Sequence, residues 1–392
     1  MLLNTQKGVV KVIKILKSLG VLALLVAFTI TFAACESDSL DDLNGDNGQD
    51  EEIVTAEVSS VEELHKTLDT LEEDDEVNIS LEEGEYEDNI NIDDEYNFSD
   101  LILSAETEHE VTISAPMVID GVDNITIRDM EFKNSTGNAI VVLSSQNILI
   151  ENNIIEDNDA FGILINENSQ ADIINNELNY NGHGQGYPAV KIENDSDALI
   201  EENIISNSAD QGVEVTENSN TEIKNNDISE NPGSEIRISG ESIAHIDDNT
   251  IVGESRMHNI TIFEDSEVVI ANNFISNPEI DNSGDNDNEN IGIGIALSKA
   301  TIYENEIVGK SIGLSYGIEK SDYEMVEVDD NEFENNSIDV VDSLSGQDDY
   351  KDDYDEDEAP ELLKDIFEYN SFEYDAEVLL RDTGFWAIQT QD

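Results

Sequence analysis

The chain has 392 residues, with 92 Asp and Glu against 17 Lys and Arg, a formal net charge of −75. A surface so acidic repels phosphate, which excludes nucleic acid as a partner and opposes direct adhesion to anionic lipid headgroups. Apolar residues still make up 38 % of the sequence. With the regular Ile/Val pattern described below, that favours a folded protein adapted to concentrated salt over a disordered polyanion.

Residues 1–34 read as a targeting segment. Lys7, Lys11, Lys14 and Lys17 precede the apolar run Val21–Phe32, and the first 34 residues hold no acid. The run is too short to span a bilayer comfortably and ends in small residues, as signal peptides do. Cys35 is the sole cysteine, so no intrachain disulfide forms. In Phe32-Ala33-Ala34-Cys35 the chain resembles the lipobox of bacterial lipoproteins, whose cysteine is acylated and becomes the first mature residue. Phe32 stands where that family usually has Leu, and an ordinary signal peptide with an incidental cysteine is the alternative. Glu36, Asp38, Asp41 and Asp42 resemble the surface-export signal of Bacteroidota-type lipoproteins. The resemblance implies a body outside the cytoplasm, held at the outer membrane or cell surface by lipid on Cys35.

Residues 35–53 then read as a flexible acidic tether. A capping Ser and apolar Val61, Leu64, Leu68 and Leu71 predict a short amphipathic helix. Val77–Leu81 alternates as a strand and leads into a turn at Gly84.

From about residue 100 a repeat dominates. It aligns on Asn153, Asn176, Asn203, Asn226, Asn249, Asn273, Asn305 and Asn331. Three residues before each stands Ile, or Val328; two after stands Ile155, Leu178, Ile205, Ile228, Ile251, Ile275, Ile307 or Phe333. Met130, between Ile127 and Phe132, is a ninth member without the Asn. Three of the seven spacings are 23 residues, one is 24, and the rest are 26, 27 and 32. No helix has such a period. Short strands coiling so that each residue stacks on its equivalent one turn away, about 4.8 Å along, explain it. Asn suits the turn because it tolerates a left-handed backbone, and stacked Asn side chains bond along the axis. Nine coils make a rod about 43 Å long.

With these repeats the chain resembles the right-handed parallel β-helix superfamily of pectate-lyase-like proteins, over roughly residues 55–345. The resemblance implies an all-β, single-stranded solenoid of about nine or more coils, residues 54–345, whose segment from Val61 onward is the usual helix-plus-strand opening cap. Such a cap shields the sheet edge. One scaffold carries many activities, so the fold does not set the function. Residues 346–360 read as an acidic linker, and the apolar pattern of residues 361–392, with the single Trp386, as a C-terminal cap or a separate docking segment.

Twelve residues before each repeat Asn lie Val141, Leu164, Lys191, Glu214, Arg237 and Thr261, bracketed by apolar pairs such as Val213/Val215. Strand alternation points this column outward and sets Lys191, Glu214 and Arg237 on three consecutive coils. The 27- and 32-residue repeats gain their length beside it, in Asn181–Pro188 and between Asn273 and Gly294. Two readings stand: a solvated salt-bridge ladder, or a groove presented by loops on a rigid scaffold. The superfamily's lyases and epimerases use a comparable face, which implies Lys191 or Arg237 as a uronate-neutralising or proton-transfer group beside Glu214. His183 and His258 are alternative acid/base groups there, or plain turn residues. A binder would expose aromatics, and Tyr180, Tyr187 and Phe161 are the nearby candidates. Asp285, Asp287 and Glu289 alternate as oxygen ligands do in calcium loops, without the Gly and distant Glu of an EF-hand; Ca2+ is the one cofactor considered. Three functions follow: a polysaccharide binder, a lyase, epimerase or hydrolase on acidic glycan, or an envelope accessory or adhesion protein. In each case the protein is expected to be a monomer.

Overall fold

Strands of two to six residues, most with one to three inward aliphatic side chains, can bury those side chains only by stacking turn on turn. The computed structural model describes residues 53–253, 258–277, 290–317, 325–342, 361–372, 376–380 and 386–390. The 1–34 leader, Cys35, the tether up to residue 52, Asp285, Asp287, Glu289 and the 346–360 linker lie outside the described residues.

Each turn adds one strand to each of three sheets. The first sheet has 12 strands, from Val54–Val58 to Val326–Asp329. The second has 12, from Gly84–Tyr86 to Ser371–Phe372, and the third 13, from Ile90–Asp93 to the Ala376–Leu380 and Trp386–Thr390 pair. Neighbouring coils pair in parallel; the last two strands of the third sheet are antiparallel. The complete turns number about 11, two more than the Asn alignment marks. In the two extra coils Gly84 and Val111 occupy the place of Met130, in register with it.

The aliphatic columns face inward as expected. In the third sheet Val190/Ile192, Val213/Val215, Ile236/Ile238 and Ile260/Ile262 are all fully buried, and the second sheet stacks Phe132, Ile155, Leu178, Ile205 and Ile228. Burying each such side chain contributes about 1.5–3 kcal/mol, and its neighbours above and below are its own equivalents.

The asparagines do something other than turn the chain. Asn153, Asn176, Asn203, Asn226, Asn249, Asn273, Asn305 and Asn331 are buried. From Asn176 on, each accepts, through its side-chain oxygen, from the backbone N–H and the amide of the Asn one coil earlier, as between Asn203 and Asn226 at 2.9 and 3.1 Å, while Asn153 accepts from the Met130 N–H. Its own amide donates to a strand carbonyl of the preceding coil, as Asn226 does to Ile200 at 2.8 Å. The left-handed residue is the one before: Asn152, Asn175, Glu202, Asn225, Asp248, Asn272, Glu304 and Asp330 all have φ near +55°. The turn conformation expected of the repeat Asn therefore belongs to its neighbour.

Two further columns follow the same logic. Five residues on, Asn158, Asn181, Ser208, Asn231 and Asn336 line the corner between second and third sheets, with Asn158 donating to Asn181 at 2.8 Å. At the corner leading back to the first sheet, the N–H groups of Ser145, Ser169 and Ser196 donate to the hydroxyls of Ser169, Ser196 and Ser219 at 3.2–3.3 Å.

At the N-terminal end, helix α1 (Val61–Leu68) turns Val61, Leu64 and Leu68 onto the core, capped by Ser60, whose hydroxyl accepts from the Glu63 N–H at 3.2 Å. At the other end, helix α2 (Glu361–Tyr369) buries Leu362, Leu363 and Ile366 in the same core. Asn370, just after α2, takes the next rung of the ladder: its oxygen accepts from the Asn331 N–H and amide, both at 2.9 Å.

Candidate functional site on the third sheet

The register sets Val141, Leu164, Lys191, Glu214, Arg237 and Thr261 side by side across consecutive coils of the third sheet, continuing to Gly294. Val141 and Leu164 point outward yet are only 7 and 8 % exposed.

Lys191, Glu214 and Arg237 form one ion-pair run. The Lys191 amine donates to Glu214 at 2.5 Å and lies 3.7 Å from Glu193. Arg237 Nε lies 3.5 Å from the other Glu214 oxygen. Lys191 and Glu214 side chains are only 11 and 14 % exposed, so the lysine is enclosed by two carboxylates. Burial raises the Glu193 carboxyl above its ordinary value, with Lys191 pulling the other way. Burial likewise raises Asp210; the hydrogen bond from Gln211 and the charge of Arg237 oppose the shift, and Glu214 adds to it.

A base stacked on an acid one coil away is a general device of this rod. Arg128 meets Glu151 at 3.5 Å, Lys133 bonds Glu156, Lys224 lies 3.6 Å from Glu201, and Lys299 bonds Glu267. The Lys191–Glu214 pair taken alone is therefore the expected ladder.

Arg237 follows the same rule towards Glu214 at 3.5 Å and makes a second contact besides. Its guanidinium carbon lies 4.7 Å from the centre of the Phe263 ring, a cation–π contact that fixes its plane. It lines an open depression of about 220 Å³ together with Gln211, Ser234, His258, Thr261 and Phe263. The Ser234 and Thr261 hydroxyls are 2.7 Å apart, and Gln211 donates to Asp210 at 2.9 Å. A β-carbon on Gly294 would come 3.0 Å from His258 Nδ1, so glycine there leaves room for the imidazole on the strand.

Of the residues singled out in the sequence, Arg237 and His258 meet in this depression. Phe161, on the turn before Leu164, and Tyr187, on the loop before Lys191, pack ring to ring at 4.8 Å, while Tyr180 and His183 stack on each other at 6.1 Å. His183 is exposed and neither it nor Tyr180 lines the depression. Gln211, Ser234 and Phe263 escaped the sequence reading. They lie three before and two after the outward column, on the same period, and a second pass at those offsets finds them. Among the described residues no group of three His, Cys, Asp or Glu side chains is set to hold a metal ion.

A profile of the right handed beta helix region matches residues 96–186, 115–253, 162–284 and 188–350. No curated protein matches the sequence. Among solved structures the chain is similar to the Dettilon tailspike protein, at 12% identity and a TM-score of 0.43, over 67% of this chain and 60% of that one. It is similar to a periplasmic alginate epimerase at 14% identity and 0.38, over 68% and 74%. The catalytic domain of a GH87 α-1,3-glucanase in complex with nigerose follows at 12% and 0.46, over 76% and 66%. The chain thus spans about 60% of the tailspike's length, and at these identities the likeness concerns the fold. From the repeats, the three parallel sheets and the profile match together, the chain belongs to the right-handed parallel β-helix family.

Proposed function

We propose that the protein binds polysaccharide, without cutting it, on the outward face of the third sheet, and does so at the cell surface in concentrated salt. The observation that carries this reading is the state of Lys191, the leading candidate for a proton-abstracting base. It is enclosed by Glu193 and Glu214, bonded at 2.5 Å to the latter and only 11 % exposed, so its amine is already spent on carboxylates and little of it faces a substrate. Beside it lies an open depression, rather than a deep cleft, with a planar cation, two hydroxyls, an amide and an aromatic ring. Sugar rings suit such a surface: hydroxyls meet the polar groups and ring faces meet the aromatics. Phe161 and Tyr187 extend the same face towards the N-terminal coils.

The anchor in this reading is lipid on Cys35, supported by the Ala33-Ala34-Cys35 sequence and the basic, then apolar, leader. Screening by molar salt makes the acidic surface tolerable. The test is retention of the protein on insoluble and immobilised glycans in molar KCl, with parallel assays for new reducing ends and for unsaturated products absorbing in the ultraviolet. Retention without product is expected, and a Cys35→Ser variant should move from the membrane to the soluble fraction. Product formation lost in Lys191→Ala would overturn the reading in favour of a lyase.

A further inference from the structure

The described bases of the rod are mostly matched to acids, and Arg237 differs in sharing its acid with a second base. Glu214 approaches it only at 3.5 Å and is already committed to Lys191 at 2.5 Å. The Arg237 Nε is buried without a hydrogen bond, and its two terminal nitrogens donate none to the described residues, although its side chain is 37 % exposed. Phe263 holds the plane from one side. A guanidinium fixed in orientation with its fork unspent is built for a planar or tetrahedral oxyanion.

The neighbours decide how many anions fit. One coil back stands Glu214, with the Asp210 and Glu193 carboxyls each close enough to feel its charge. One coil forward are Thr261 and then Gly294, which carry no charge. Gln211, Ser234 and Thr261 add neutral polar groups around the guanidinium. We infer that the depression at Arg237 is a subsite for one isolated anionic substituent, a carboxylate or a sulfate ester, on an otherwise neutral glycan, so that the protein selects sparsely charged chains over polyuronates. This rests on the glycan-binding reading above. A chain with a carboxylate on every sugar would satisfy Arg237 once and press its next charges onto Glu214 and its neighbours. Molar salt shortens the range of that repulsion to about 3 Å without removing it at contact.

The test measures the affinity of the intact protein in molar KCl for four probes: dextran, lightly sulfated dextran, lightly carboxymethylated dextran, and polygalacturonate. At least one lightly substituted dextran should bind about tenfold tighter than both dextran and polygalacturonate, the gain of a charge-assisted pair. Which of the two gains identifies the substituent. Arg237→Gln should erase the gain, so that the substituted dextrans bind the variant no tighter than dextran does, while Arg237→Lys should keep part of it. Polygalacturonate binding as tightly as the substituted dextrans, or a gain that survives Arg237→Gln, would overturn the inference. Dextran binding with no gain from either substituent sinks the inference and spares the glycan-binding reading; no binding to any of the four sinks both.

Discussion

Each repeat asparagine has a neighbour that looks interchangeable with it and is not. Asn226 is buried in the amide ladder, tied to Asn203 and Asn249 at 2.9–3.1 Å, whereas Asn225 beside it only supplies φ of +56°. Asn226→Ala strands buried partners on both sides and should cost about 2–4 kcal/mol in unfolding by denaturant. Asn225→Gly should change stability by under about 1 kcal/mol, in either direction. A second residue-scale anomaly is Lys310, which stands in the ladder position held by Asn158, Asn181, Ser208, Asn231 and Asn336 in other coils and is fully buried. Its amine bonds the Asn259 side chain, and burial lowers it from 10.5 to about 7, with the charge of Glu235 pulling the other way. A base lowered in the folded state sheds its proton there first. The unfolded chain therefore holds the extra proton between about pH 7 and 10.5, and stability rises with pH across that window and is lost as pH falls through 7. Wild-type stability should climb by up to about 1.4 kcal/mol per pH unit above 7, and a Lys310→Met variant should lack that slope. A flat wild-type profile would show that the amine stays charged.

At the scale of elements, period and alternation carried most of the information. Ile and Val recurring every two dozen residues could be satisfied only by stacked coils, and bracketing pairs such as Val213/Val215 could face inward only if Glu214 faced out. That each turn holds three strands rather than two was not fixed by the period, and the three sheets settle it. The role of Asn was half legible: side-chain bonding along the axis follows from its chemistry, but the sequence does not separate Asn225 from Asn226, because Asn, Asp and Glu all fill the left-handed position here. The first two coils were hidden because Gly84 and Val111 carry no amide to align. The site was legible only as a column of charges. That Lys191 would be enclosed while Arg237 rests on Phe263 depends on side-chain reach across coils, which spacing does not encode. His183 was drawn in by its place in a Gly-rich loop, and its ring instead stacks on Tyr180.

For the whole molecule, the formal charge of −75 sets the conditions for folding. Carboxylates crowd every sheet, and burial raises Asp172, Glu193 and Asp210 above their ordinary values. An acid raised in the folded state stabilises fully below its unfolded value and loses that contribution as pH rises through its folded value. Near pH 7 and low salt the rod should thus be at a disadvantage that either screening or protonation relieves. The thermal midpoint should rise steeply from about 0.1 to 3 M KCl, where the Debye length falls from about 10 Å to under 3 Å. At low salt it should also rise as pH drops from 7 towards 5. Indifference to salt would contradict the adaptation drawn from composition.

Hydroxyl-radical footprinting of the intact protein with a retained glycan, in molar KCl, addresses the location of binding most directly. Protection should concentrate on Phe161, Tyr187, Arg237, His258 and Phe263, and leave Lys224, His245 and Tyr303 of the first sheet as reactive as in the free protein. Protection spread over the first or second sheet, or none on the third, would contradict the assignment of the binding face.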